Sequence, residues 1–157
     1  YLNKYLGDRA VLVKGIIREQ GLILPKGNPN NIRSVEDISC QDLVFVNRQK
    51  GSGTRILADY LFRKAGVDTG SIRGYDREMT THMAVAQAVE AGTADVGLGA
   101  YSAAKMMGLD FVFIGNEEYD FAILKEYMDS PMVPAFLRVL RGPELDQVLK
   151  DLGGYGR

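Results

Sequence analysis

The stretch Asn47-Arg48-Gln49-Lys50-Gly51-Ser52-Gly53-Thr54-Arg55 decides how the rest of the chain is read. It joins the apolar run Leu43-Val44-Phe45-Val46 to a segment with apolar residues at Leu57, Tyr60, Leu61 and Ala65, one helical stripe that stops at Gly66. The order is strand, glycine loop, helix. The first turn of a helix leaves backbone N–H groups without intrahelical acceptors, and the macrodipole puts partial positive charge there. Gly51 and Gly53 permit positive φ and a close approach to the backbone. Ser52 and Thr54 add hydroxyls, and Arg48, Lys50 and Arg55 add charge, so the junction suits an oxyanion. The plainer reading is a tight turn in which Ser52 or Thr54 caps the helix. On these residues alone both readings stay open.

Outward from the loop, helices and strands alternate. Toward the N-terminus, Leu2, Tyr5 and Leu6 predict a short helix over residues 1–9, and Ala10–Val13 with Ile16-Ile17, then Gly21–Pro25, predict two strands. Ser34-Val35-Glu36-Asp37 reads as a capping box opening a one-turn helix. Toward the C-terminus, Tyr75–Glu78 is a short strand or extended link. Thr80 or Thr81 caps a helix with His82, Val85, Ala86 and Val89 on one face, broken at Gly92. Ala94–Gly99 is a strand of small residues, and Tyr101-Ser102 opens another helix, giving a second junction of strand and helix N-terminus. Phe111–Ile114 and Tyr119–Leu124 predict two strands across the polar bend 115–118. Two amphipathic helices follow, carrying Val133, Phe136, Leu137, Leu140 and then Leu145, Val148, Leu149, Leu152. This alternation implies parallel β-α-β units in an α/β fold.

Composition narrows the function classes. The chain has 157 residues, 46% of them hydrophobic, enough for a real core in one domain or two small lobes. Nineteen basic and twenty acidic residues give a net charge of -1, which argues against a nucleic-acid surface. No run approaches the roughly 18 apolar residues of a membrane span, and no signal peptide opens the chain. Without a starting Met, Tyr1 reads as an excised or processed start; a cytoplasmic location is expected, with a periplasmic one as the alternative. One cysteine, Cys40, excludes an internal disulfide and is expected to be a small buried residue. One histidine, His82, leaves little for a zinc site or a Ser/His/Asp triad, so no metal and no catalytic residue is assigned.

Several stretches together resemble a periplasmic-binding-protein-like (type 2) domain of the molybdate-binding type, as fused to molybdopterin biosynthesis proteins or helix-turn-helix regulators, and similar to LysR substrate-binding domains. The carrying segments are Arg18–Pro29, Phe45–Arg55, Arg73–Glu78, His82–Ala86 with Ala94–Gly99, and Leu109–Val112. The resemblance implies an α/β, two-lobed fold with ligand between the lobes. Crossovers near Gly21–Pro25 and Phe111–Asp120 would make residues 26–114 one lobe, and residues 1–25 plus 115–157 the other. It also implies that the first lobe is truncated at its N-terminus, since its opening β-α-β section precedes Tyr1. The sheet edge so left could support a homodimer.

The function expected is a non-enzymatic ligand-binding or sensor domain for molybdate or tungstate, bound as an oxyanion, with no other cofactor. Occupancy would be reported by lobe closure. Candidate contacts are Arg48, Ser52, Gly53, Thr54 and Arg55 from the loop; Tyr75 and Arg77; Thr81 and His82; and Tyr101 with Ser102 from the second junction. The partner is a small anion, with no nucleic acid and no membrane. The alternative is a LysR-like effector domain for a small organic ligand, for which Tyr75, Met79 and Tyr101 offer apolar surface. An enzyme using Asp76, Glu78 and His82 ranks third, since the sequence shows no mutual geometry for them.

Overall fold

The structure is a computed structural model and describes residues 6–157. Of the helix expected over residues 1–9, residues 1–5 lie outside the described residues, and Gly7–Arg9 form a 3-10 turn. The chain divides into two compact units: a central unit, Glu19–Gly115, and a terminal unit, Tyr1–Arg18 with Asn116–Arg157.

The elements run β1 (Ala10–Leu24), α1 (Val35–Ser39), β2 (Phe45–Arg48), α2 (Gly53–Lys64), β3 (Glu78–Met79), α3 (His82–Glu90), β4 (Val96–Ala100), α4 (Tyr101–Met106), β5 (Asp110–Leu124), α5 (Met132–Leu140), α6 (Pro143–Leu152) and β6 (Tyr155–Gly156). In the sheet the strand order is β3-β2-β4-β1-β5. β2 is parallel to both β3 and β4, as the β-α-β alternation requires, whereas β1 runs antiparallel to β4, with Gln20 opposite Ala100 and Ile23 opposite Gly97. β1 and β5 continue from the central into the terminal unit, where β6 pairs antiparallel with β1.

In the central unit the sheet is covered on both faces, which is why its strands read as unbroken apolar runs. Successive side chains alternate between two clusters. Leu22, Leu24, Phe45, Val96 and Leu98 pack with Val35 and Ile38 of α1 and Ala58 and Phe62 of α2. Ile23 and Val46 pack on the other face with Val85, Ala86 and Val89 of α3 and Ala103 and Ala104 of α4. Gly97 lets α3 come close, since a Cβ there would sit 2.5 Å from Val85 Cγ1.

Three expectations are corrected. Residues 10–24 form one strand, as do residues 110–124, where two strands each were expected. Gly15 and Gly21 are not turn glycines: a Cβ at either would overlap the backbone carbonyl of Tyr119 or of Val112, so they admit β5 at close range. Cys40 is exposed. It caps the C-terminal end of α1, whose buried positions are Val35 and Ile38, and residue 40 falls off that stripe. The capping box itself forms, with Asp37 accepting from the backbone N–H of Ser34 at 3.1 Å.

Candidate functional site

Because β2, β3 and β4 are parallel, their C-terminal ends share one sheet edge, and a helix follows each: α4 directly after β4, α3 beyond residues 80–81 after β3, and α2 beyond the loop 49–52 after β2. In open α/β sheets this edge is the ligand-binding side.

The glycine loop turns tightly. Ser52 N–H donates to Gln49 C=O at 3.2 Å, and Gly51 has φ +86°. Gly53 takes no positive φ; it is the first residue of α2 and is exposed, so its lack of a side chain leaves the helix start open. Ser52 is the cap, its Oγ accepting from Arg55 N–H at 3.1 Å. Thr54 is buried and its hydroxyl donates to Gln20 Oε1 at 3.1 Å. The N–H groups of Gly53 and Thr54, first in the helix, have no intrahelical acceptor. At α3, Thr81 caps in the same way, accepting from Ala84 N–H at 3.0 Å. His82 follows as the first helical residue, half-buried, its Nδ1 accepting from Ala100 N–H at 3.2 Å. Tyr101 and Ser102 open α4, with the Tyr101 ring edge-on to Phe111 at 5.2 Å.

The three helices carry no acidic residue in their first turns. α5 has none either, whereas α1 has Glu36 and Asp37 there and α6 has Glu144 and Asp146. The partial positive charge of α3 therefore meets no carboxylate of its own first turn, and at α2 the carboxylates of Glu78 and Asp59 pair with Arg55.

The arginines and Tyr75 are engaged with the protein. Arg48, buried at the end of β2, donates through Nε to Met79 C=O at 3.2 Å and through Nη2 to Thr80 C=O at 3.1 Å, which ties the α2 loop to the approach to α3. Arg55 is 4% exposed; it pairs with Asp59 at 2.9 Å and Glu78 at 3.0 Å and lies over the Tyr75 ring at 4.6 Å. The Tyr75 hydroxyl donates to Asp59 at 2.5 Å, on the flank of α2. The Arg77 guanidinium donates to the carbonyl and hydroxyl of Thr93, just before β4, so it is turned to the opposite edge. The structure thus gathers Ser52, Gly53, Thr54, Thr81, His82, Tyr101 and Ser102 along one edge, sets Arg48 between two of its helix starts, holds Arg55 on the Arg48 carbonyl, Asp59 and Glu78, bonds Tyr75 to Asp59, and turns Arg77 to the opposite edge.

Two buried polar residues of this edge were not singled out from sequence. Gln20 is 1% exposed and meets Thr54; Asn47 is 1% exposed, donates to Tyr75 C=O at 3.1 Å and accepts from Arg48 N–H at 3.0 Å. Their signal was a polar amide within or ending an apolar strand, which must find partners when buried.

A family model for the PBP superfamily domain matches residues 1–141. The uncharacterized protein YvgK of Bacillus subtilis (strain 168) is 35% identical over 156 residues, which takes in 99% of this chain and 50% of YvgK. The chain thus spans about half the length of that relative. Among solved structures, the tungstate ABC transporter from Geobacter sulfurreducens is similar with a TM-score of 0.67 at 19% identity, over 95% of this chain and 72% of that one. The CcmR regulatory domain of Synechocystis PCC6803, in complex with 2-PG, is similar with a TM-score of 0.64 at 21% identity, over 83% of this chain and 65% of that one. At such identities these two structures attest the fold.

Proposed function

The chain belongs to the PBP superfamily, whose two-lobed α/β domains bind ligands, and from that premise we propose that its ligand is a small oxyanion, molybdate or tungstate, held by neutral donors at the shared edge of β2, β3 and β4. The observation that carries the reading is that α2 and α3 both start at this edge with Ser or Thr caps and without a first-turn acid. A dianion loses several kcal/mol of hydration on burial unless its oxygens gain donors. The N–H groups of Gly53 and Thr54 and the first-turn amides of α3 are such donors, and the buried charge of Arg48 lies behind them. The name of the similar tungstate protein agrees with this ligand class.

These residues bind; none is asked to make or break a bond. The absence of carboxylates from the helix starts also favours a fully deprotonated anion. Hydrogen phosphate carries an O–H that needs an acceptor, and the first turns of α2, α3 and α4 supply no carboxylate. A second reading, an effector domain for a small organic anion, draws on Tyr101, whose ring packed on Phe111 adds apolar surface beside the same donors.

A thermal-shift and calorimetric titration with tungstate, molybdate, sulfate, phosphate and small organic acids tests both readings. At about 100 times its dissociation constant, a ligand adds roughly 2.7 kcal/mol of stability. A shift with tungstate and molybdate that exceeds the shift with phosphate supports the oxyanion reading; a response confined to organic acids overturns it in favour of the second.

A further inference from the structure

We infer that His82 is the positioning residue that fixes the start of α3 against the β4–α4 junction, and that it does so as a neutral imidazole with its proton on Nε2. The inference rests on the anion-binding reading for its functional consequence and on independent geometry for the tie itself. His82 is the first residue of α3. Its Nδ1 accepts from the N–H of Ala100 at 3.2 Å, and Ala100 is both the last residue of β4 and the N-cap of α4. A ring nitrogen that accepts a hydrogen bond carries no proton, so the bond selects the tautomer. The first turn of a helix is also where an imidazolium is disfavoured. Gly99 borders the ring, where a Cβ would meet Nδ1 at van der Waals distance, 3.5 Å, while crowding Ile23 Cδ1 at 2.7 Å.

One side chain therefore spans two of the helix starts on the ligand edge. Arg48 makes the corresponding span between the α2 loop and the residues before Thr81. Together they tie the donor segments at α2 and α3 to each other and to the end of β4, and preorganised spacing is what keeps an anion site from losing affinity to ordering costs.

Histidine occurs once in the chain, so its imidazole nitrogens give one unambiguous pair of resonances in an isotope-labelled sample. Near neutral pH, Nδ1 should be of the unprotonated type and Nε2 of the protonated type; the reverse tautomer or an imidazolium overturns the inference. His82→Asn places an acceptor oxygen near the Nδ1 position and should keep tungstate affinity within about twofold, whereas His82→Ala should lose about tenfold. Equal losses in the two variants overturn the positioning role. Amide exchange at Ala100 separates this inference from the function it rests on. Protection at Ala100 in wild type and His82→Asn but not in His82→Ala, with no anion bound by any of them, leaves the tie standing and removes the anion reading. Tungstate binding with Ala100 protection unchanged in His82→Ala removes the tie and leaves the anion reading.

Discussion

Arg55 is the third residue of α2, at the helix start proposed to face the anion, yet its charge is spent on the protein. Burial works against that charge, but the contacts with Tyr75 and Asp59 outweigh it and hold the guanidinium pKa above the ordinary arginine value. Arg55→Lys loses the fork geometry that serves Asp59, Glu78 and the Tyr75 ring at once. It should lower stability in urea by about 1–2 kcal/mol while leaving the tungstate response in place; loss of the response with stability unchanged would make Arg55 a ligand contact after all. Tyr75 titrates above its ordinary 10.0, first because it is buried and then because its hydroxyl is bonded to Asp59; Tyr119 shifts the same way, mainly by burial. The folded state then holds these protons where the unfolded chain releases them. Their contribution is complete below 10.0 and is lost as pH rises through the folded values. Stability should therefore fall above that pH, and less steeply in Tyr75→Phe; identical slopes would contradict the assignment. At this scale the caps were legible, because Ser52 and Thr81 act within three residues of themselves. The directions of Arg48, Arg77 and Tyr75 were not, because a long or aromatic side chain chose a partner some sixteen to thirty-two residues away in sequence, at Met79, Thr80, Thr93 or Asp59.

At the scale of elements, the helix starts are the feature on which the proposed function turns. Gly53 is exposed, first in α2, and free of positive φ, so its backbone is one that any residue adopts. Gly53→Asp places a carboxylate against the helix dipole and should stabilise the fold by about 0.3–1 kcal/mol. The same carboxylate occupies the anion's place electrostatically, so tungstate affinity should drop at least tenfold, by about 1.4 kcal/mol. A more stable protein that binds tungstate unchanged would move the site away from α2. The long strands show where pattern reading reached its limit. Helix and strand identities around the glycine loop followed from an unbroken apolar run at β2 and periodicity at α2, although the face α2 buries carries Ala58 and Phe62 and leaves Tyr60, expected in the stripe, exposed. β1 and β5 were each divided in two, because the polar residues 18–20 and 115–118 interrupt the apolar runs and the strand that packs on them is unknown from sequence. Gly21→Ala tests this. Its Cβ would overlap the Val112 carbonyl, and the variant should be destabilised by about 1–3 kcal/mol or more, where a turn glycine of unstrained φ would gain stability.

Across the whole molecule, apolar burial is unevenly shared, and this sets where the chain opens first. The central unit has an apolar cluster on each face of its sheet. Among the described residues of the terminal unit, the buried apolar side chains are Val13, Val133, Leu140 and Leu149, while Met132 is 76% and Val139 68% exposed. Units with few buried apolar contacts open at lower free energy than packed strands. Native-state amide exchange should therefore be faster from α5 and α6 than from β2 and β4. Adding tungstate at about 100 times its dissociation constant should slow exchange from β2, β4 and the first turn of α2, by up to the roughly 2.7 kcal/mol that binding supplies. If tungstate raises the melting temperature while exchange from those three elements is unchanged, the anion binds somewhere other than the edge at which Ser52, Thr54 and Thr81 meet. If the exchange slows there and Gly53→Asp abolishes the slowing, the helix start of α2 is the seat of the site.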